Sequence, residues 1–131
     1  MKVTLAAIAD YASISMGDKL NVLGVFDTLF APNFPVQHPH MVFAVRLEFQ
    51  YEDAGGRYPI HIRLENADRV RLMETPQGML EGGQIPAGEF RSQNIIIELN
   101  NLRFEAPGTY WFVVRVADQE VATPFRVVER R

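Results

Sequence analysis

His38-Pro39-His40 is the one place where this chain sets two imidazoles close together. Residues two apart in an extended segment point to the same side, so both rings could present a nitrogen to one ligand. A metal ion asks for three or four converging ligands, and the next donor would have to be Asp10, Asp27 or a glutamate. His38, His40 and Asp27 are the candidate polar groups of such a site. Two histidines beside a proline also have a plainer role, bonding to backbone or water in a connector. The expectation is therefore no resident metal, no cofactor and no catalytic residue, with these three side chains held as the only ligand candidates.

Other reactive types stand in equally plain contexts. A serine nucleophile needs a base and an oxyanion hole, and Ser13, Ser15 and Ser92 lie in nothing like a Gly-x-Ser-x-Gly elbow. Glu48, Glu52 and Glu65 are expected to form a cross-strand charge ladder with Arg46 and Arg63. Gly55-Gly56 and Gly82-Gly83 lack the Lys-Ser/Thr pair and helix of a phosphate loop. Arg57, Arg63, Arg69 and Arg71 read as a solvated face. Trp111 lies in the most apolar run of the chain, where burial is expected over a role as a carbohydrate platform. The chain is not expected to be an enzyme.

Composition narrows the classes further. The 131 residues are 47% hydrophobic and 22% charged, which suits one globular domain spanning 1–131. Only the Glu129-Arg130-Arg131 tail is expected to be disordered. Cysteine is absent, which rules out disulfides and thiolate chemistry and fits a cytoplasmic setting. A net charge of −3 lacks the basic footprint of a nucleic-acid binder. The apolar run Val3 to Ala9 is cut short by Asp10, too early for a signal peptide. No run reaches the roughly 18 apolar residues of a membrane helix, so no membrane partner is expected.

The elements that would position these residues are strands. Pro107-Gly108 is a turn pair, followed by a run that reads as the central strand of a sheet. Tyr110, Phe112, Val114 and Val116 share one face, and Thr109, Trp111, Val113, Arg115 and Ala117 the other. A tyrosine just after such a turn can bury its ring and bond its hydroxyl to nearby backbone. Residues 3–16 and the run from Leu20 to Ala31 form a hairpin about Gly17-Asp18-Lys19, with Gly24 marking a bulge or a close backbone approach. Pro32, Pro35 and Pro39 make 32–40 a stiff connector between two sheets, with little ladder pairing.

Met41 to Glu52 alternates cleanly, with Met41, Phe43, Val45, Leu47, Phe49 and Tyr51 inward, and Tyr58 to Glu65 repeats the pattern after a Gly-Gly loop. Val70 to Met73 and Gln93 to Leu99 are shorter strands, and Asn100-Asn101 breaks the latter. Residues 76–91 are the most loop-like stretch. Pro124 places the final strand at an edge or a bulge. The fold class is all-β: an antiparallel sandwich, immunoglobulin-like or jelly-roll-like, of about eight to nine strands.

Ala9-Asp10, Gly17-Asp18-Lys19-Leu20-Asn21-Val22-Leu23-Gly24, Phe34-Pro35 and Pro107-Gly108-Thr109-Tyr110 together resemble an uncharacterised bacterial family, known only as a domain of unknown function. The resemblance implies a small cytoplasmic all-β protein and carries no activity and no catalytic residues. It departs from the family's pattern at residues 76–91.

The function expected is that of an interaction or self-assembly module that presents surfaces to a protein partner or to copies of itself. The alternative is a small-ligand or metal-binding module, with its site at one end of the sandwich. That site would draw on residues 32–40 and 76–91, and on His38, His40 and Asp27.

Overall fold

The computed structural model describes residues 1–130. Strands β1 (Lys2–Ser15), β2 (Lys19–Val25), β3 (Thr28–Ala31), β4 (Val36–Gln50), β5 (Arg57–Glu65), β6 (Arg71–Glu74), β7 (Gly78–Glu81), β8 (Phe90–Phe104), β9 (Gly108–Val116) and β10 (Gln119–Glu129) form two facing sheets. The first runs β2-β1-β4-β8. The second runs β3-β10-β9-β5-β6, with β7 also paired to β5. Ten strands replace the expected eight or nine for two reasons. The run from Leu20 to Ala31 breaks between β2 and β3 and changes sheets, and β7 lies inside the stretch read as loop. β3 pairs with β10 in parallel, and the other pairings are antiparallel.

The core follows from alternation. Tyr110, Phe112, Val114 and Val116 of β9 face Met41, Phe43, Val45, Leu47 and Phe49 of β4 in one buried cluster. Phe43 and Phe112 stack with ring centroids 4.6 Å apart. Each such ring, fully buried, contributes about 1.5–3 kcal/mol. The Tyr110 hydroxyl donates to the Ala106 carbonyl at 2.5 Å, the corner bond expected after the Pro-Gly turn. Burial pushes the Tyr110 phenol pKa up. Tyr51 does not join the inward row, because β4 ends at Gln50 and a 3-10 turn over Tyr51–Asp53 leaves its ring exposed.

Prolines proved weaker breakers than their chemistry suggests. Residues 32–35 do cross between the sheets, but Val36 to His40 are already strand, paired with Phe104 to Asn100 of β8. Pro39 is tolerated because β1 stops pairing with β4 at Ala9↔Val42, so no neighbour on that side asks for its missing N–H. Pro124 faces Trp111 of β9, ahead of the first β3 pair at Arg126, so β10 is open at its start and interior at its end. The tail is also tied down. Glu129 pairs with Ala31, and the Arg130 amide donates to the Ala31 carbonyl, while Arg131 lies outside the described residues.

The hairpin of β1 and β2 doubles back over the outer face of its own sheet. β1 pairs with β4 only up to Ala9, then continues with β2 alone. The Asp18 carbonyl at the hairpin tip accepts from Asn94 Nδ2 at 2.9 Å and lies 3.4 Å from Arg46 Nη1. Arg46 is the partner of Leu5, thirteen residues back along the chain from Asp18, so a straight strand could not make these contacts. The fold-back explains why Ala9, Val42 and Ala44, which point away from the core, are fully buried. Ala12, Leu20 and Val22 are half-buried on one face of the hairpin, while Tyr11 and Leu23 are exposed on the other.

Candidate functional site

Gly24 sits where the hairpin bends. Its φ is +74°, and an added Cβ would lie 2.4 Å from Asp10 Oδ2; of the two readings of this glycine the close approach holds, made by a side chain, while the register of β1 with β2 runs unbroken past it and leaves no bulge. The bend brings Asp10 and Tyr11 against the start of β4. Asp10, Tyr11, His38, Pro39 and His40 line a shallow cleft of about 320 Å³. His40 Nδ1 donates to the Asp10 carbonyl at 2.9 Å, and its ring stacks on Tyr11 at 5.1 Å. That bond fixes the tautomer and leaves Nε2 as the available nitrogen. Burial lowers the His38 pKa, outweighing a backbone hydrogen bond at His40 and the Asp10 charge, which both raise it.

The carboxylate beside the histidines is that of Asp10, while Asp27 turns to Thr28, whose hydroxyl donates to it at 3.0 Å. Among the described residues, no three His, Asp or Glu side chains gather closely enough to hold a metal ion. The two segments expected to build one ligand site lie at opposite ends of the sandwich. Val36 pairs with Phe104 at one end of β4, and Gln50 with Phe90 at the other, so residues 32–40 and the loop before β8 are a whole strand apart.

The outer face of the second sheet carries Trp111. Its place in the alternation sends it away from the core, and it is half-buried rather than buried. With Arg63, Glu65, Arg69 and Glu120 it lines a cleft of about 360 Å³. The charges around Trp111 other than Arg69 are paired: Arg63 reaches Glu65 at 3.1 Å and Glu120 at 3.3 Å, and Arg115 reaches Glu120 at 3.6 Å. Arg57 and Arg71 likewise meet Glu81 and Glu74, so of the four arginines read as a solvated face all but Arg69 stand in ion pairs. The expected ladder is rearranged on the first sheet, where Glu48 pairs with Lys2 while Arg46 turns to the Asn94 side chain at 2.8 Å.

The surface least accounted for is the free edge of β8. This strand is fifteen residues long and pairs only with β4. Asn100-Asn101 does not end it. Asn101 takes φ +55°, and the inward side chains change from Ile97 and Leu99 to Leu102 and Phe104 across that point. From Ser92 to Asn100 the edge holds Ile95, Ile96 and Ile97 with one charge, Glu98. Its start is anchored by Arg91, whose Nη2 donates to the Glu81 and Gly82 carbonyls at 2.6 and 2.8 Å and whose guanidinium lies over Phe49. Sequence reading found this strand but had no means of placing it at a margin.

Residues 4–128 match the family described as "Family of unknown function (DUF6941)", and the chain belongs to that family. This agrees with what the turn and strand motifs implied. No curated protein matches. Similar solved structures include β-glucosidase from Listeria innocua in complex with glucose, at TM-score 0.47 and 14% identity over 77% of this chain and 14% of that one. The same organism's β-glucosidase in complex with gluconolactone aligns at TM-score 0.48 and 13% identity, over 94% of this chain and 16% of that one. The chain thus spans a small part of the length of those enzymes. Among the described residues no helix is long and apolar enough to cross a membrane.

Proposed function

We propose that this chain is a non-catalytic, cytoplasmic interaction module that works by accepting a strand from a protein along the free edge of β8. The observation that carries this reading is the edge itself: fifteen residues, paired on one side only, with three consecutive isoleucines at its middle. An open edge offers unpaired N–H and C=O groups at regular spacing, which is what strand addition uses for affinity. The alternating side chains on its two faces then supply specificity.

The test compares wild-type protein with Ile96→Lys as bait in extracts of its own cell, and maps any complex by amide hydrogen exchange. A complex that protects residues 92–100 and is lost with Ile96→Lys is expected. Protection confined to the Tyr11 and Leu23 face of the hairpin, or equal capture by both baits, would count against the reading. Matching thermal unfolding of the two baits guards against a folding defect.

A further inference from the structure

Resting on that reading, we infer that the strand added to β8 is β8 of a second copy, antiparallel about a two-fold axis at Ile96. The argument is one of parity and pattern. A two-fold that makes neighbouring strands antiparallel within one continuous sheet stands normal to that sheet, so each copy keeps its inner face inward. Opposed residues must then share a face, which restricts the axis to pass midway between a residue and its own copy. Moving it by one residue changes every pairing.

With the axis at Ile96, Ile96 meets the partner's Ile96, and Ile95 meets the partner's Ile97 on the inner face, twice. Asn94 meets the partner's Glu98, Ser92 the partner's Asn100 and Gln93 the partner's Leu99. Apolar residues oppose apolar ones in the centre, the charge faces an amide, and no like charges meet. Neighbouring axes are worse. At Ile95, Asn94 would face Ile96 and Gln93 would face Ile97. At Ile97, Ile96 would face Glu98 twice. At Glu98, two carboxylates would meet on the axis.

The hairpin tip supports the same place. Asp18 is held against Asn94, so the tip lies over the part of β8 next to this axis, and Met16, two residues away, is 94% exposed. The assembly would be a continuous eight-stranded sheet, closed by its two-fold, with no β8 edge left open.

The absence of cysteine makes a clean test possible, since a single introduced thiol has only its copy to meet. Directly opposed residues have Cα atoms about 4.5–5.5 Å apart, within disulfide range. Ile96→Cys is expected to form an inter-chain disulfide under mild oxidation. Glu98→Cys is not, because its copy would lie four residues along the strand, about 13 Å away. Native mass spectrometry of the unsubstituted chain is expected to give twice the 14.9 kDa chain mass, reduced to a single chain by Ile96→Lys. A wild-type monomer at about 100 μM, well above the Kd of a micromolar or tighter dimer, would overturn the self-pairing, as would crosslinking at Ile95→Cys or Ile97→Cys in place of Ile96→Cys. A monomer whose β8 is still protected in the extract complex leaves the strand-accepting edge standing with a different partner. A monomer whose β8 is protected nowhere removes both.

Discussion

Gly24→Ala should unfasten the hairpin, and the structure sets the size of the effect. Two separate penalties apply. Holding an L-residue at φ +74° costs about 1–2 kcal/mol. The new methyl would also lie 2.4 Å from Asp10 Oδ2 and 3.0 Å from its Cγ, so the Asp10 side chain must leave its place, for about another 1–2 kcal/mol. A small gain from a stiffer unfolded chain offsets about 0.5 kcal/mol. The net loss is about 1.5–3.5 kcal/mol. Asp10→Ala alone should change stability by less than about 0.5 kcal/mol, since the Asp10 side chain is at the surface. In the double variant the carboxylate is gone and only the dihedral penalty remains, so the pair should couple by about 1–2 kcal/mol. Equilibrium urea unfolding at one protein concentration reads all four corners of this cycle. With a slope of about 2 kcal/mol per M, Gly24→Ala should lower the midpoint by about 0.75–1.75 M. A loss below about 0.5 kcal/mol, or strictly additive single effects, would refute the claim that the bend is built on Gly24 packed against Asp10.

Asn94→Ala removes the donor to the Asp18 carbonyl and the acceptor for Arg46, and should cost about 1–2 kcal/mol in urea unfolding, with faster amide exchange across the hairpin tip. Phe112→Ala takes away one ring of the central stack and should lose about 3–5 kcal/mol, a large share of the about 5–15 kcal/mol of an ordinary domain, read as a much lower thermal midpoint. Tyr110→Phe should cost only about 0.5–1.5 kcal/mol, because the Ala106 carbonyl it releases is at the surface and can turn to water. His38 has a folded-state pKa below its unfolded value, so the folded form binds fewer protons and its contribution is complete above about 6.5. Stability should therefore fall as the pH drops below about 6.5 towards the lowered value, and His38→Gln should flatten that part of a stability–pH profile.

What could be read from the sequence was whatever depends on neighbours in the chain. The alternation from Tyr110 to Val116 and from Met41 to Phe49 is local, and both strands and their inward faces came out as expected. Three readings failed because a local signal was outweighed by placement. Pro39 looked like a strand breaker, yet its missing N–H matters only if a neighbour needs it, and β1 has already left β4 at that point. Trp111 looked buried because its surroundings are apolar, but the alternation already assigned it to the face opposite Phe112. Asn100-Asn101 looked like an end and is a change of face within a continuing strand. The candidate site was less legible still. Asp10 rather than Asp27 reaches the histidines because of a fold-back that depends on one glycine dihedral. The exposed edge of β8 follows from strand order, which the sequence does not express.

That strand order also explains why β8 stands apart from the other sheet margins. β3, β6 and β7 are four residues each, too short to template a long pairing. β2 is seven residues and leaves the plane of its sheet with the folded hairpin, which removes it from edge-to-edge contact. Each is blunted by length or by bending, and the open starts of β1, before Ala9, and of β10, before Arg126, are about half as long as β8. β8 has neither protection through its middle. Its bend lies near the far end, at Asn101, and its cations, Arg91 and Arg103, flank an interval in which Glu98 is the sole charge. A protein that shields its short edges and leaves its longest one apolar is best understood if that edge is normally occupied. Placing a charge on it should then distinguish an occupied edge from an idle one: Ile96→Lys should break the assembly while leaving the unfolding temperature of the separated chain close to that of wild type diluted to monomer. Loss of fold in place of loss of assembly would mean that Ile96 serves the cover under the hairpin rather than a contact beyond the edge.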